Sequence, residues 1–201
     1  MNDRLVIIGA GGHGRVCAEA ASMIGYDDIV FLDDRLIDGL NVIDSTNNFS
    51  KYIADSVFFV AIGDNGIRAD YISRIKESGG RLIKICHPRS VVSLSAEIGA
   101  GTVVMAGAVV QADARIGEGV IINTCSSVDH DCVIGNYSHI AVGARLAGAV
   151  RLGEYVFAGA NCAVSNNLSI TDNCIIGAGT AVIRDLTKSG TYVGVPARRV
   201  K

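Results

Sequence analysis

The sequence has no excess of charge of either sign, because 18 basic and 20 acidic residues give a net charge of -2. Electrostatic binding of nucleic acid or of an anionic membrane needs a basic patch, so we expect neither partner. No apolar run approaches the roughly 20 residues of a membrane span, and the N-terminus lacks the layout of a signal peptide. We therefore expect a soluble, cytoplasmic protein.

The six cysteines form no CxxC pair and no spacing typical of a disulfide framework. Cys132, Cys162 and Cys174 fall where small residues are common in the repeat described next. We interpret the cysteines as reduced packing residues without chemistry. The nucleophile elbow of a Ser-His-Asp hydrolase is also missing.

A six-residue repeat runs without interruption through residues 85–186. It contains 17 hexads, and the second position of 15 of them is Ile, Leu or Val. Glycine comes directly after this aliphatic residue at Gly99, Gly117, Gly135 and Gly153, which are 18 residues apart. This spacing indicates three hexads per coil. This pattern predicts a three-sided parallel β-helix whose interior holds the second-position aliphatics. The pattern leaves the handedness of the coils open.

The N-terminal part has the order strand, glycine turn and helix. Residues 5–8 are apolar, residues 9–14 read GAGGHG, and the helix that follows has its apolar side predicted at Val16, Ala20, Met23 and Ile24. With further strands predicted at 29–34, 57–63 and 81–85, this part amounts to half a Rossmann fold. We expect an α/β domain at residues 1–84 and a β-helix with a C-terminal tail at 85–201.

Polar residues should converge at the carboxyl ends of these parallel strands. A mononucleotide-sized site is predicted there, because backbone N–H groups at a helix start hold phosphate and a carboxylate after the second strand holds ribose. A purely structural glycine turn is the alternative, and a full NAD site is disfavoured because the second half-fold is missing. The residues of this predicted site are Gly11, Gly12, His13, Gly14, Asp33, Asp34, Gly63, Asp64 and Asn65.

Two histidines within the repeat are the candidate chemical groups. His130 is followed by Asp131, and Gly148 lies one coil above His130, which leaves room for a ligand. A carboxylate beside an imidazole orients it and raises its basicity, but the two side chains meet only if they sit at a corner. A solvated corner histidine is the alternative for His130.

His139 lies nine residues after His130, or half a coil, so the two should share a site only across a subunit boundary. His139 can also be purely structural. Two histidines with no third in reach argue against a zinc centre. The basic tail, with Arg198, Arg199 and Lys201, is either solvated or an anion site.

Six motifs in this order resemble the sialic acid O-acetyltransferase/nucleotide-sugar N-acetyltransferase family of left-handed β-helix acyltransferases. They are VIIGAGGHGR, IVFLDD, VAIGDN, HPRSVVS, SVDHDCVIGNYSHIAVGA and YVGVPARRV. The resemblance covers nearly the whole chain. It implies a homotrimer with acetyl-CoA between neighbouring β-helices, no metal, and a nucleotide-linked amino sugar on the N-terminal domain.

The resemblance also implies a role for each candidate residue. His130 matches the general base, Asp131 its orienting acid, and His139 the histidine near the acetyl group. The Gly148 amide matches one that faces the thioester, and Asn166, Arg198 and Arg199 are expected to contact the coenzyme. Asp33 and Asp34 match the pair at the nucleotide base or ribose, and His13 with its glycines matches the diphosphate loop. Ser165–Asn167 and Cys125 depart from the family pattern.

The function expected from this resemblance is acetyl-CoA-dependent N-acetylation of a nucleotide-linked 4-amino-4,6-dideoxysugar in bacterial glycan biosynthesis. Two alternatives remain. A sialic acid O-acetyltransferase would not need the glycine loop with Asp33 and Asp34, and a non-catalytic β-helical scaffold would bind nucleotide without releasing CoA.

Overall fold

The computed structural model describes residues 3–201, which form an α/β part followed by a parallel β-helix. Met1 and Asn2, which are part of the N-terminus that lacks a signal-peptide pattern, lie outside the described residues. The fold class predicted from the sequence is confirmed. The division into domains at residues 84 and 85 stays a prediction. Within residues 3–201, no helix is long and apolar enough to cross a membrane.

The first part is a parallel five-stranded sheet, in which the strands lie in the order β3 (Val42–Asp44), β2 (Ile29–Leu32), β1 (Arg4–Ile8), β4 (Ser56–Val60) and β5 (Arg81–Leu82). Two α-helices and a 3₁₀ helix, Thr46–Tyr52, connect its strands. The four strands predicted from the sequence correspond to β1, β2, β4 and β5, and β3 was not predicted. The elements are β1 (Arg4–Ile8), α1 (Gly12–Met23), β2 (Ile29–Leu32), β3 (Val42–Asp44), β4 (Ser56–Val60), α2 (Asn65–Glu77) and β5 (Arg81–Leu82).

The glycine turn between β1 and α1 requires a residue without a side chain. A Cβ on Gly14 would lie 2.1 Å from the carbonyl oxygen of Gly9, so only glycine lets the helix approach the strand this closely. The predicted apolar side of α1 is right for Ala20, which is buried, and for Ile24, which packs against the apolar core, but wrong for Val16 and Met23. The helix buries Gly14, Cys17, Ala20 and Ala21, whereas Val16 and Met23 are 42% and 54% exposed, because small residues fit the close contact with the sheet.

The β-helix has three faces, each a sheet of short strands that pair with the strands one coil before and after. The first face contains Ile85–Cys86, Val103–Val104, Ile121–Ile122, His139–Ile140, Phe157–Ala158, Cys174–Ile176, Gly190–Val193 and Arg198–Arg199. The second contains Val91–Val92, Val109–Val110, Ser127–Val128, Arg145–Leu146, Ala163–Val164 and Ala181–Val182. The third contains Glu97–Ile98, Arg115–Ile116, Val133–Ile134, Arg151–Leu152 and Ser169–Ile170.

The interior of the β-helix is filled by the aliphatic second positions, as the repeat predicts. These side chains form one apolar core from Val104 to Val182, and nearly all are under 5% exposed. The α/β part has two other apolar clusters, one on each side of its sheet. The first of these extends to Val103 and Ile121 on the outer surface of the first face, so the α/β part packs directly on the coils.

Candidate active site

His130 and Asp131 form a hydrogen-bonded pair at a corner of the β-helix. Asp131 has a φ of 58°, in the left-handed region, and this turn brings the two adjacent side chains to the same side. Nδ1 of His130 lies 2.7 Å from Oδ2 of Asp131. The predicted corner contact is therefore present, and both side chains are about 60% exposed. The hydrogen bond to Asp131, followed by the charge of Asp129, raises the pKa of His130.

Gly148 lies against the ring of His130. A Cβ on this glycine would be 2.6 Å from both Cε1 and Nε2 of the imidazole. The expectation that the space above His130 stays open for a ligand was wrong, because the imidazole itself occupies it. The small residue is still required for this arrangement, since a side chain at position 148 would collide with the ring whose Nδ1 is hydrogen-bonded to Asp131.

His139 lies on the first face, whereas His130 is at the corner between the second and third faces. Nε2 of His139 is 3.1 Å from the side-chain amide nitrogen of Asn123, and Oδ1 of Asn123 accepts from the backbone N–H of Thr124 at 2.8 Å. This fixes the amide so that its NH₂ group donates to Nε2. The proton of a neutral His139 ring is then on Nδ1.

Nδ1 of His139 is buried and makes no hydrogen bond of good geometry within residues 3–201. The Gly63 carbonyl is near enough to raise the pKa of this imidazole a little, but burial, Arg68 and His13 together lower it to about 4. The ring also packs edge-on against Phe157, with centroids 5.1 Å apart. His139 is thus a neutral imidazole with a fixed tautomer near physiological pH.

His13 belongs to the same group of side chains at the junction of the two parts. Burial and the charge of Arg68 lower its pKa to about 4. Its Nε2 is 3.6 Å from the Cys17 sulfur, a buried thiol whose pKa burial raises. The glycine loop and the strand that carries His139 therefore meet, although 126 residues separate the two histidines in sequence.

Sequence reasoning missed two residues at this junction, Arg68 and Asn123. Arg68 is fully buried in α2, with its guanidinium bonded to carbonyls of both parts. The spacing of Arg68, Ile72 and Ile75 places the arginine on the apolar side of α2, and that is the signal that could have found it. No sequence motif marks Asn123, because its hydrogen-bond partner His139 lies 16 residues later, on the next coil.

A cavity of about 420 Å³ opens at the carboxyl ends of β2 and β3. Asp33 and Asp34 line it, together with Asp44 and Ser45 from the end of the strand that the prediction missed. Gly63, Asp64 and Asn65, which were predicted to converge on the same site, line a separate cavity instead. Oδ2 of Asp33 accepts from the Ala10 N–H at 2.9 Å, which ties the second strand to the glycine loop.

Asp34 holds the 3₁₀ helix in place through one oxygen. Its Oδ1 accepts hydrogen bonds from the Ser45 hydroxyl and from the N–H and hydroxyl of Thr46. These bonds lower the pKa of Asp34. The α1 helix begins at Gly12, two residues after Ala10, whose N–H binds the cavity residue Asp33. No atom lies within 4 Å of the place where a Cβ of Gly11 or Gly12 would be, so a phosphate could approach the backbone there.

A second cavity, of about 580 Å³, lies between Gly63–Gly66 and the first face of the β-helix. Phe157 and Ile175 form its apolar wall. Asn65, predicted to bind substrate, uses both polar ends of its side chain within the protein. Its NH₂ group donates to the Tyr155 carbonyl at 3.0 Å, and its oxygen accepts from Arg68 at 2.8 Å.

Three of the residues predicted to contact the coenzyme, Asn166, Arg198 and Arg199, are exposed and lie toward the last coils, whereas Gly148 is buried and His139 is half-buried. Asn166 is near a corner of the second face, and Arg198 and Arg199 form a short antiparallel strand paired with Gly190–Val193. Cys125 is an exposed corner residue with a φ of 56°. In the described part of the chain, no three His, Cys, Asp or Glu side chains are grouped as a metal site.

Comparison with known proteins gives matches to both parts of the chain. The PglD N-terminal domain family matches residues 4–75, and the bacterial transferase hexapeptide family (six repeats) matches residues 95–130. GDP-perosamine N-acetyltransferase of Escherichia coli O157:H7 is 32% identical over 202 residues, which cover 94% of this chain and 81% of that protein. The chain belongs to the nucleotide-sugar N-acetyltransferase family. The family predicted from the motifs is thus confirmed, and with it the enzyme class.

Other members of the family are similar over part or all of the chain. UDP-N-acetylbacillosamine N-acetyltransferase of Bacillus subtilis strain 168 is 37% identical over 110 residues, and the match spans about half (51%) of each protein. The acetyltransferase domain of PglB from Neisseria gonorrhoeae, solved with acetyl coenzyme A, superposes with a TM-score of 0.96 at 39% identity and full coverage of both chains. PerB from Caulobacter crescentus, solved with CoA and GDP-perosamine, has a TM-score of 0.94 at 36% identity and covers 100% of this chain and 99% of its own.

Proposed function

We propose that this member of the family transfers the acetyl group of acetyl-CoA to the 4-amino group of a nucleotide-linked 4-amino-4,6-dideoxysugar, in bacterial glycan biosynthesis. The observation that carries the proposal is the combination, in one chain, of a carboxylate-lined cavity beside a glycine loop and a His130–Asp131 pair on the β-helix. A free-sugar enzyme would need only the second of these. The relatives that act on nucleotide-linked aminosugars support the first. We place the reaction in the cytoplasm, where acetyl-CoA is available.

The proposed chemistry is direct transfer with His130 as general base. The nitrogen of the sugar amine attacks the carbonyl carbon of the thioester and forms a new C–N bond to the acetyl group. Nε2 of His130 takes a proton from this nitrogen. The tetrahedral intermediate then expels the thiolate, which takes up a proton to give CoA. Because Nδ1 is hydrogen-bonded to Asp131, Nε2 is the ring nitrogen that is left free to act on the substrate. The Gly148 amide and His139 are proposed to stabilise the oxyanion.

The proposed active site lies between subunits of a homotrimer. His139 is on the first face of the β-helix and His130 is at the corner between the other two faces, so a single chain does not bring them to one reacting carbonyl. Packing of three β-helices around a threefold axis would place the His130 corner of one subunit against the first face of its neighbour. Arg198, Arg199 and Asn166 are proposed to hold the coenzyme along the same groove.

A thiol-release assay tests this function. Acetyl-CoA is supplied with UDP-, GDP- and dTDP-linked 4-amino-4,6-dideoxysugars, with the corresponding 4-hydroxy sugars, and with free sialic acid. We expect CoA release only with an amine on a nucleotide-linked sugar. Release with sialic acid would support O-acetylation instead. Binding of the nucleotide sugar without any CoA release would contradict an enzymatic role.

A further inference from the structure

Arg68 joins the two parts of the chain through a fully buried guanidinium. On the α/β side, Nη1 donates to the carbonyls of Ile62 at 2.9 Å and Gly63 at 3.2 Å. On the β-helix side, Nε donates to the Gly119 carbonyl at 2.7 Å and Nη2 to the Tyr137 carbonyl at 2.7 Å. One side chain therefore joins the turn after β4 to two neighbouring coils of the β-helix.

This cation has no carboxylate partner among residues 3–201, since none of the ion pairs there includes Arg68. Burial lowers its pKa to about 10, with Asp64 acting in the opposite direction, so it stays charged at neutral pH. Burying an unpaired charge opposes folding, and well-packed apolar residues often serve stability as well as buried ions do or better. Stability alone therefore gives no reason for an arginine at this position.

The bonded segments show what the arginine accomplishes. Ile62 and Gly63 follow β4 and form the turn at the edge of the 580 Å³ cavity. Tyr137 immediately precedes Ser138 and His139, at the start of a first-face strand. The planar fork of the guanidinium sets the spacing of these two segments, which lysine, with one nitrogen, cannot do.

We propose that Arg68 is a positioning residue for acetyl transfer, which holds the Gly63 turn at a fixed distance from the strand that begins with His139. The inference rests on the proposed function, because the turn is where the α/β part would present its sugar nucleotide to the β-helix. Arg68 does not touch the reacting atoms. It acts through the backbone on either side of it.

Kinetics of three variants test this role. Arg68→Met removes the fork and the charge, and Arg68→Lys keeps the charge without the fork. Lys76→Met is the matched control, because Lys76 also joins α2 to the β-helix, by a 2.7 Å ion pair with Glu118. All rates are measured well below the lowest melting temperature of the set, with each substrate varied in turn.

We expect Arg68→Met to raise the KM for the nucleotide sugar or lower kcat by about 10- to 100-fold, the range that a displacement near 1 Å produces. The KM for acetyl-CoA should change less than twofold, Arg68→Lys should recover part of the loss, and Lys76→Met should match the wild type. A lower melting temperature with wild-type kinetics in Arg68→Met would overturn the proposal. If Arg68→Met does not fold, wild-type kinetics in Arg68→Lys overturn it in the same way.

Titration of the histidines by NMR, without substrate, separates this inference from the proposed function. The charged or titratable groups that act on His139 are Arg68 and His13, and its ring also contacts Asn123 and Phe157. Loss of the cation should raise the pKa values of His13 and His139 toward 6.5 in Arg68→Met but not in Lys76→Met. Unchanged values would show that the charge of Arg68 does not act on the two rings and would overturn its place at this junction. A wild type that releases no CoA with any amine would instead refute the proposed function.

Discussion

Nδ1 of His130 is hydrogen-bonded to Oδ2 of Asp131, the next residue in the chain, at 2.7 Å. Neighbouring residues in a strand point to opposite sides, so this contact exists only because the left-handed turn at Asp131 reverses the direction of its side chain. The pair leaves Nε2 as the nitrogen that faces away from the carboxylate. A single corner thus provides an oriented imidazole, which we propose as the general base.

Replacement of His130 by alanine should lower kcat by about 10²- to 10⁴-fold, the usual contribution of a positioned general base. Binding of acetyl-CoA, measured by calorimetry, should be largely kept, because the ring is exposed and few contacts are lost. Leu94→Ala is a suitable control, since Leu94 is an exposed residue in the same column two coils earlier. Undiminished turnover in His130→Ala would remove this residue from the mechanism.

The rate should depend on pH through His130, which must be neutral to accept a proton. Its pKa is raised, chiefly by the hydrogen bond to Asp131, so kcat/KM should fall as the pH drops through the pKa of His130. Asp131→Asn removes the negative charge that stabilises the imidazolium, so the pKa of His130 should fall and the acidic limb of the profile should move to lower pH. It should also lower kcat, because the ring is less well oriented. An acidic limb that stays in place would show that Asp131 does not tune the base.

Gly148→Ala should impair the same step through the His130 ring, because the substitution leaves the backbone amide of residue 148 in place. The new Cβ would collide with the His130 ring, which is exposed and can swing away from the coil, so we expect a loss of kcat with a nearly unchanged melting temperature. The double variant Gly148→Ala/His130→Ala is the control. If the glycine acts only through the ring, the second substitution adds nothing to the loss in His130→Ala, whereas additive losses would indicate an independent role such as that of its amide.

The sequence predicted the β-helix well because each coil repeats the same burial pattern. It predicted the His130 corner from a column of residues 18 apart. It failed at α1, where small residues rather than large apolar ones face the sheet, and at β3, a three-residue strand with half-exposed positions. It also missed Arg68, because the carbonyls that this arginine binds come from residues up to 70 positions away, and such contacts depend on how the two parts pack.

Asp33→Ala combined with Asp34→Ala should raise the KM for the nucleotide sugar while kcat at saturation changes little, because both carboxylates line the cavity of the α/β part, away from the His130 corner. Asp34 also binds Ser45 and Thr46, so part of the effect could be structural. Ser45→Ala tests this, because it removes one of those bonds and keeps the carboxylate. A loss confined to kcat, or an equal KM in Ser45→Ala, would contradict a role in binding the nucleotide.

The junction histidines should make stability depend on pH between about 6.5 and 4. The pKa values of His13 and His139 are each lowered to about 4 in the folded protein, mainly by burial, whereas the unfolded chain titrates near 6.5. Below 6.5 the unfolded state therefore binds more protons, so the stabilisation present above 6.5 is lost as pH falls toward 4. The loss should be on the order of 2 kcal/mol for each histidine.

Denaturant unfolding of the wild type, His13→Gln and His139→Gln at pH 7 and pH 4.5 measures this loss. Other groups that titrate in this range contribute equally to all three proteins, so the difference between variants isolates each imidazole. Each variant should lose less stability than the wild type on acidification. His130→Gln is the control of opposite sign, because the raised pKa of His130 stabilises the folded state at acid pH, and its removal should not reduce the acid loss. Identical losses in all four proteins would mean that the junction does not hold its histidines neutral.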